Sequence, residues 1–340
     1  MRNEQKHELK HIVPFNDYFF HSCFYTMLFT ALQSMGRSTI PFFVNALTYY
    51  SFYQHKNRFG LYIDLENTVP IESFIAQQNI EIHALKCCRD LKRKIVDAMS
   101  DGFCVLLSVD CFYEPFREEF YLKRHWPHTL LIFGFDLADD TFQIVEHDSV
   151  DSTFYFKRTI GIPDLVKAYQ GYQSFFKKSG ENTFLALRGN DKEAFSRLEW
   201  KKRYIQSQRE NSPKIRLGNG QILLIKEALE ARADHFKPND KERCITDMLQ
   251  GCNNILNFKH TQQQVLKELL GTPLSLAEPL LSDIYDLWKK IRISLSKHLY
   301  SKRVATKVFE PVCSALDSIY LHEDKLHEII IGWCDDEKTS

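Results

Sequence analysis

His21-Ser22-Cys23-Phe24-Tyr25-Thr26-Met27-Leu28-Phe29-Thr30-Ala31-Leu32-Gln33-Ser34-Met35-Gly36 decides how this chain is read. Phe24, Met27, Leu28, Ala31, Leu32 and Met35 recur at i, i+3, i+4, i+7, i+8 and i+11, which is one face of an α-helix. Ser22 suits the N-cap and Gly36 the position just past the C-terminus. Cys23 then opens the first turn. Free backbone N–H groups and the positive end of the helix dipole favour its thiolate there. A cysteine at such a place is more often a small buried hydrophobe, so the rest of the chain must decide.

The 340 residues suffice for one large domain or two ordinary ones. Lys plus Arg and Asp plus Glu balance at 44 each, which argues against a nucleic-acid or anionic-membrane partner. The 26 Phe and 15 Tyr imply a dense aromatic core. Residues 1–13 are polar and lack the apolar stretch of a signal peptide. No run approaches the roughly 18 apolar residues of a membrane span. Nine cysteines without a CxxC pair suit reduced thiols in the cytoplasm better than a disulfide framework.

Along the chain, Pro41 opens a second helical pattern through Phe42, Phe43, Ala46, Leu47 and Tyr50. Strands are expected at 61–65 and 80–85, with a short helix from Thr68 to Gln78 between them. Asp90 caps a helix ending at Gly102. Residues 103–109 and 128–135 are near-continuous apolar runs, the mark of interior strands. Turn 137–140 joins the second to a partner strand at 141–146. A strand at 153–156, a helix from Ile162 and a strand at 182–187 complete an antiparallel sheet. Beyond Arg188-Gly189-Asn190-Asp191 helical periodicity dominates, with stripes Leu280, Ile284, Leu287, Ile291, Leu295 and Val308, Val312, Leu316, Ile319. Asn211–Asn219 reads as a loop and 221–225 as a possible strand. The expected division is 1–190 and 191–340, the second part mostly helical.

A nucleophilic cysteine needs a base, and the base an orienting acceptor. His128 begins an interior strand directly after a loop, and Asp148 ends the strand paired with it across a short hairpin. Asp148 is thereby expected to accept from one imidazole nitrogen while the other faces Cys23. Rival readings exist. His125 and His128 are spaced HxxH and, with His147 and Asp148, offer metal ligands, but Pro127 disfavours a helix there and no HExxH or CxxC accompanies them. His147 is an alternative base. Arg117, Lys123 and Arg124 suit an anionic substrate or simply a solvated loop. The remaining cysteines lack a matched base and read as structural.

These pieces carry a resemblance: the His21-Ser22-Cys23 segment entering its helix, Gly102-Phe103-Cys104-Val105, Asp110-Cys111-Phe112-Tyr113-Glu114-Pro115-Phe116, His128 through Asp136, and the strand ending in Asp148. Over about residues 10–190 the chain resembles papain-like cysteine proteins, and more closely the N-terminal domain of the butirosin biosynthesis protein H family. The fold this implies is α+β, a helical layer and an antiparallel sheet, followed here by a C-terminal helical domain. The implied activity is acyl transfer from the phosphopantetheine thioester of an acyl or peptidyl carrier protein, through an acyl-Cys23 intermediate, to a small amine in secondary-metabolite assembly. Cys23 is then nucleophile, His128 general acid/base and Asp148 orienting acid, with no bound cofactor. Ser22 departs from the family in separating His21 from Cys23. The backbone N–H of Cys23 suits an oxyanion donor. Papain-like enzymes add an upstream amide, for which Asn16 is the candidate. Tyr113, Phe116 and Trp126 in the aromatic loop are expected to wall the cleft, with Glu114, Glu118 or Glu119 attracting a cationic amine. A hydrolase of the same fold and a catalytically silent carrier-binding module are the alternatives.

Overall fold

The computed structural model describes residues 5–55, 58–147, 149, 152–190, 196–232, 238–270, 276–301 and 309–333. In chain order its elements begin β1 (Lys6–Glu8), α1 (Cys23–Ser34), α2 (Ile40–Val44), β2 (Ala46–His55), β3 (Arg58–Asn67), α3 (Ile71–Gln77) and β4 (Ile80–Leu85). There follow α4 (Leu91–Ser100), β5 (Cys104–Asp110), β6 (Pro127–Asp136), β7 (Thr141–His147), β8 (Tyr155–Gly161), α5 (Ile162–Phe175) and β9 (Phe184–Gly189). Among the described residues five helices follow: α6 (Arg197–Glu210), α7 (Ser212–Arg232), α8 (Pro238–Leu270), α9 (Ala277–Ser301) and α10 (Glu310–Gly332). No described helix is long and apolar enough to cross a membrane.

The protein is α+β and divides into two compact units. The first comprises residues 1–39 and 69–194, the second 40–68 and 195–340. This corrects the expected division at residue 190, because the segment 40–68 groups with the C-terminal helices. In the first unit all strand pairings are antiparallel, in the order β4-β9-β5-β6-β7-β8, with β1 added to β6 at Lys6↔Asp136. Its core follows from strand alternation. Val105, Leu107 and Val109 of β5, Leu130 and Ile132 of β6, and Phe142 and Ile144 of β7 share a cluster with Ile95 and Met99 of α4 and Leu165 and Ala168 of α5. Asp90 caps α4 as expected, its Oδ1 accepting from Arg93 N–H at 3.3 Å. Gly36 sits at φ +65° just past α1, and Arg37 N–H donates to Leu32 O at 2.8 Å, the Schellman closure its sequence foretells. α1 contacts β6 and β5.

Three local expectations fail. The second helix stops at Val44, and Ala46–His55 is a strand paired with β3 from Ala46↔Asn67 to His55↔Arg58. Thr48-Tyr49-Tyr50-Ser51-Phe52-Tyr53 is rich in β-formers, and that preference prevails over a few apolar residues at helical spacing. Residues 212–219 and 221–225 belong to α7, without a loop or strand. The strand expected at 153–156 runs from Tyr155 to Gly161.

In the second unit α7 contacts β2 and α8 contacts β3. Arg58 donates to Asp247 from Nε (2.9 Å) and Nη2 (2.6 Å), and Ile63 N–H donates to Asn254 Oδ1 at 2.8 Å. Gly251 makes the α8 contact possible, since a Cβ there would fall on the Leu61 carbonyl oxygen. Helix propensity alone predicts that Gly251→Ala stabilises α8 by about 1 kcal/mol. Here the opposite sign is expected, a loss of about 2 kcal/mol from overpacking against fixed backbone. Urea unfolding of the variant, followed by α-helical circular dichroism, checks it.

Candidate active site

Phe20, His21 and Ser22 make a sharp entry to α1. Ser22 N–H donates to Phe20 O at 2.7 Å, and His21 lies at φ +61° in the left-handed region. Ser22 occupies the N-cap in extended conformation without a side-chain cap bond, so the first turn is open toward Cys23. The Cys23 thiol is half-buried, hydrogen-bonded to His128 and to the backbone N–H of Thr129. His128 is 4% exposed. It continues the row of Leu130 and Ile132 to the end of β6, as Glu146 continues Phe142 and Ile144 on β7. The apolar core of the sheet thus ends in a charged pair.

Among the described residues the carboxylate against His128 is Glu146, with Nε2 and Oε1 2.8 Å apart and Glu146 wholly buried. Asp148, given that role from sequence, lies outside the described residues. A usable signal was present: an acid replaces the next inward apolar residue in Phe142-Gln143-Ile144-Val145-Glu146. With Nε2 turned to Glu146, Nδ1 is the ring nitrogen left for Cys23.

Electrostatics follow from this geometry. Burial pushes the Cys23 thiol up, but the charge and hydrogen bond of His128, aided by Thr129 N–H, outweigh it and hold the thiol below its ordinary value. Burial disfavours a charged His128, yet the Glu146 carboxylate and the Cys23 thiolate hold it well above the ordinary imidazole value. Burial likewise raises Glu146, and His128, His147 and Arg117 bring it below the usual carboxylate range. Both directions favour the thiolate–imidazolium form over the neutral pair. Burial raises Cys104, Cys244 and Cys252 each to about 12, whereas Cys23 is shifted toward the anion.

Several expected site residues do other work. Asn16 is an extra strand partner: its Nδ2 donates to Tyr155 O (3.1 Å) and its Oδ1 accepts from Tyr155 N–H (2.8 Å). That amide is spent on β8 rather than aimed at an oxyanion. Asn16→Ala is expected to lower stability by about 1 kcal/mol and to change turnover less than about threefold, whereas loss of an oxyanion donor costs about a hundredfold or more. Paired melting and rate measurements distinguish the two.

Tyr113 and Phe116 pack against the sheet core, Tyr113 so closely on α5 that a Cβ at Gly171 would lie 2.6 Å from its ring. Trp126 is 40% exposed, two residues before His128, and stacks on Phe120 at 5.3 Å. Glu114 is wholly buried and Glu119 pairs with Arg117 at 3.0 Å, so neither is a free surface acid for an amine. Arg117, expected in a solvated loop, has no exposed surface. Buried Asp110 pins both ends of the loop, Oδ1 accepting from Phe112 N–H (3.1 Å) and Trp126 N–H (3.0 Å), Oδ2 meeting His125 Nδ1 (2.6 Å).

The metal alternative divides. His125 is held by Asp110 and stacks on Phe112 and Phe175, away from His128's partners. His128, Glu146 and His147 do bring ligand atoms within 4.8 Å of one another. A fixed cation already stands against two of them: Arg117 Nη1 lies 3.2 Å from Glu146 Oε1 and 2.6 Å from His147 Nε2. The donor set fits a guanidinium better than an added ion. Burial and the charge of His128 lower His147 to about 4, so it is neutral and accepts from Arg117. A neutral ring bonded to Arg117 is no rival to His128 as base.

No protein-family model and no curated protein matches this sequence.

Proposed function

We infer that this chain is a cysteine-dependent acyltransferase. The observation that carries the reading is the half-buried thiol on the first residue of α1, bonded to an imidazole whose far nitrogen meets a buried carboxylate. Cys23 thiolate attacks the thioester carbonyl of the donor, and the Cys23 N–H, at the open helix end, serves the oxyanion. The donor's C–S bond breaks as His128 gives its proton to the departing thiolate. The acyl-Cys23 thioester is close in energy to the one consumed. An amine then attacks it, His128 takes the amine proton, and Cys23 leaves as thiolate to restore the starting pair.

The likeness of residues 10–190 to the butirosin biosynthesis protein H family and to papain-like proteins supports a phosphopantetheine thioester on a carrier protein as donor and a small amine as acceptor. The test incubates the protein with N-acetylcysteamine thioesters of several acyl groups, with and without a primary amine, and follows intact mass and products. An acyl adduct on Cys23 resolved to amide by the amine supports transfer. Release as free acid at the same rate with saturating amine makes the chain a hydrolase. Absence of adduct with every donor, on a protein whose Cys23 is readily alkylated, overturns acyl chemistry in favour of a binding module.

A further inference from the structure

Behind the Cys23–His128 pair lies a second buried layer that the mechanism above does not use: Arg117, Glu114 and Cys111, all without exposed surface. Glu146 faces His128 from β6, His147 on its own strand, Tyr155 from β8, Cys23 from α1, and Arg117, Glu114 and Cys111 from the loop between β5 and β6. Two carboxyls, Glu114 and Glu146, therefore share one low-dielectric region, and both cannot hold a charge there cheaply. Which one is ionised decides whether His128 has an anion beside it.

The partners are distributed unequally. Glu146 Oε1 lies 2.8 Å from His128 Nε2 and accepts from Arg117 Nη1 at 3.2 Å and from the His147 backbone N–H at 2.8 Å. Arg117 spends its other nitrogens on Glu119, Nε at 3.1 Å and Nη2 at 3.0 Å, and rests on the Phe120 ring at 5.0 Å. Among the described residues its ion pairs go to Glu146 and Glu119 and none to Glu114. Both Glu114 oxygens are buried, with the weak Cys111 thiol as their near donor.

The geometry points to Arg117 as the positioning residue that keeps the one buried negative charge of this cluster on Glu146, against His128, rather than on Glu114. It rests on the reading of Cys23 and His128 as a nucleophile pair. The assignment accords with Glu114, which burial and the Glu146 charge push up to about 8, so that it is neutral at pH 7. Without the guanidinium, Glu146 and Glu114 compete on nearer terms for one proton. His128 then loses part of its counter-charge, and Cys23 holds its proton to higher pH.

The test needs no substrate. Iodoacetamide alkylation of Cys23 is followed peptide by peptide between about pH 5 and pH 9, with exposed Cys87 as the internal reference. In the wild type Cys23 is expected to outpace Cys87 near pH 6. If it does not, the nucleophile-pair reading itself fails. If it does, Arg117→Met is expected to lose about tenfold or more of the Cys23 rate near pH 6 with little change near pH 9. Adding Glu114→Gln to that variant removes the competing carboxyl and is expected to restore most of the loss, which a purely structural role for Arg117 does not predict. A pH profile unchanged in Arg117→Met, or no restoration by Glu114→Gln, overturns the proposal. Should Arg117→Met not fold, Arg117→Lys decides. Its ammonium reaches Glu146 but cannot also span His147 and Glu119, so a loss of about two- to fivefold near pH 6 is expected, and an unchanged ratio to Cys87 overturns the assignment.

Discussion

Cys23→Ala is expected to abolish acyl-enzyme formation, with turnover down about 10⁴-fold or more, while the fold is kept. The side chain is half-buried at the very start of α1. Anchoring of that helix falls instead to Met27, Leu28, Ala31 and Leu32, each with no exposed surface. Removing one sulfur at the helix mouth costs little packing. The buried Cys104, Cys244 and Cys252 offer no substitute, because burial holds their thiols protonated. Cys23→Ser is expected to be nearly as inactive. A hydroxyl does not ionise beside an imidazolium, so the resting anion that makes the thiol reactive is missing. Intact-mass detection of the acyl adduct, with a thermal melt as fold control, measures both claims. Residual turnover above about one per cent in Cys23→Ala means another group is the nucleophile.

Glu146→Gln carries the second largest effect, a fall in rate of about 10²- to 10⁴-fold. The amide keeps the shape but removes the charge that outweighs burial at His128. The imidazole is then no longer held as imidazolium, and Cys23 loses the cation that stabilises its thiolate. Stability should fall as well, by about 3 kcal/mol near neutral pH, because Arg117 is left buried without this counter-charge. The folded carboxyl of Glu146 lies below its ordinary value, so its stabilisation is full above the unfolded value and is lost as pH falls through the folded one. Wild type and Glu146→Gln should therefore converge in stability on acidification. His128 has the opposite sense: held above its ordinary value, its contribution is full below that value and is lost as pH rises through the raised one. Urea midpoints of both proteins across pH, at constant ionic strength, check the two directions. A stability gap that widens toward acid contradicts the ionised Glu146.

The sequence by itself determined the parts of this protein whose signals are local. The α1 stripe, its Gly36 terminus, the Asp90 cap and the apolar runs of β5 and β6 each follow from short-range spacing, capping or backbone conformation. A cysteine at a helix start and a histidine at a strand start were legible for the same reason. What depended on long-range packing was not. Ala46–His55 satisfies a helical spacing over a few residues, yet it pairs with Arg58–Asn67 and takes its place against α7 and α8. Asn16 looks like a spare amide until β8 arrives to use both its ends. Tyr113, Phe116 and Arg117 look like loop surface, because composition cannot show that the loop folds back onto the sheet and seals an arginine beneath it. Read from sequence, the orienting role goes to Asp148, at the end of the expected strand, and Glu146 two residues before it is not weighed. Among the described residues the structure sets Glu146 against His128, because the end of β6, the end of β7 and a buried guanidinium converge on its carboxylate.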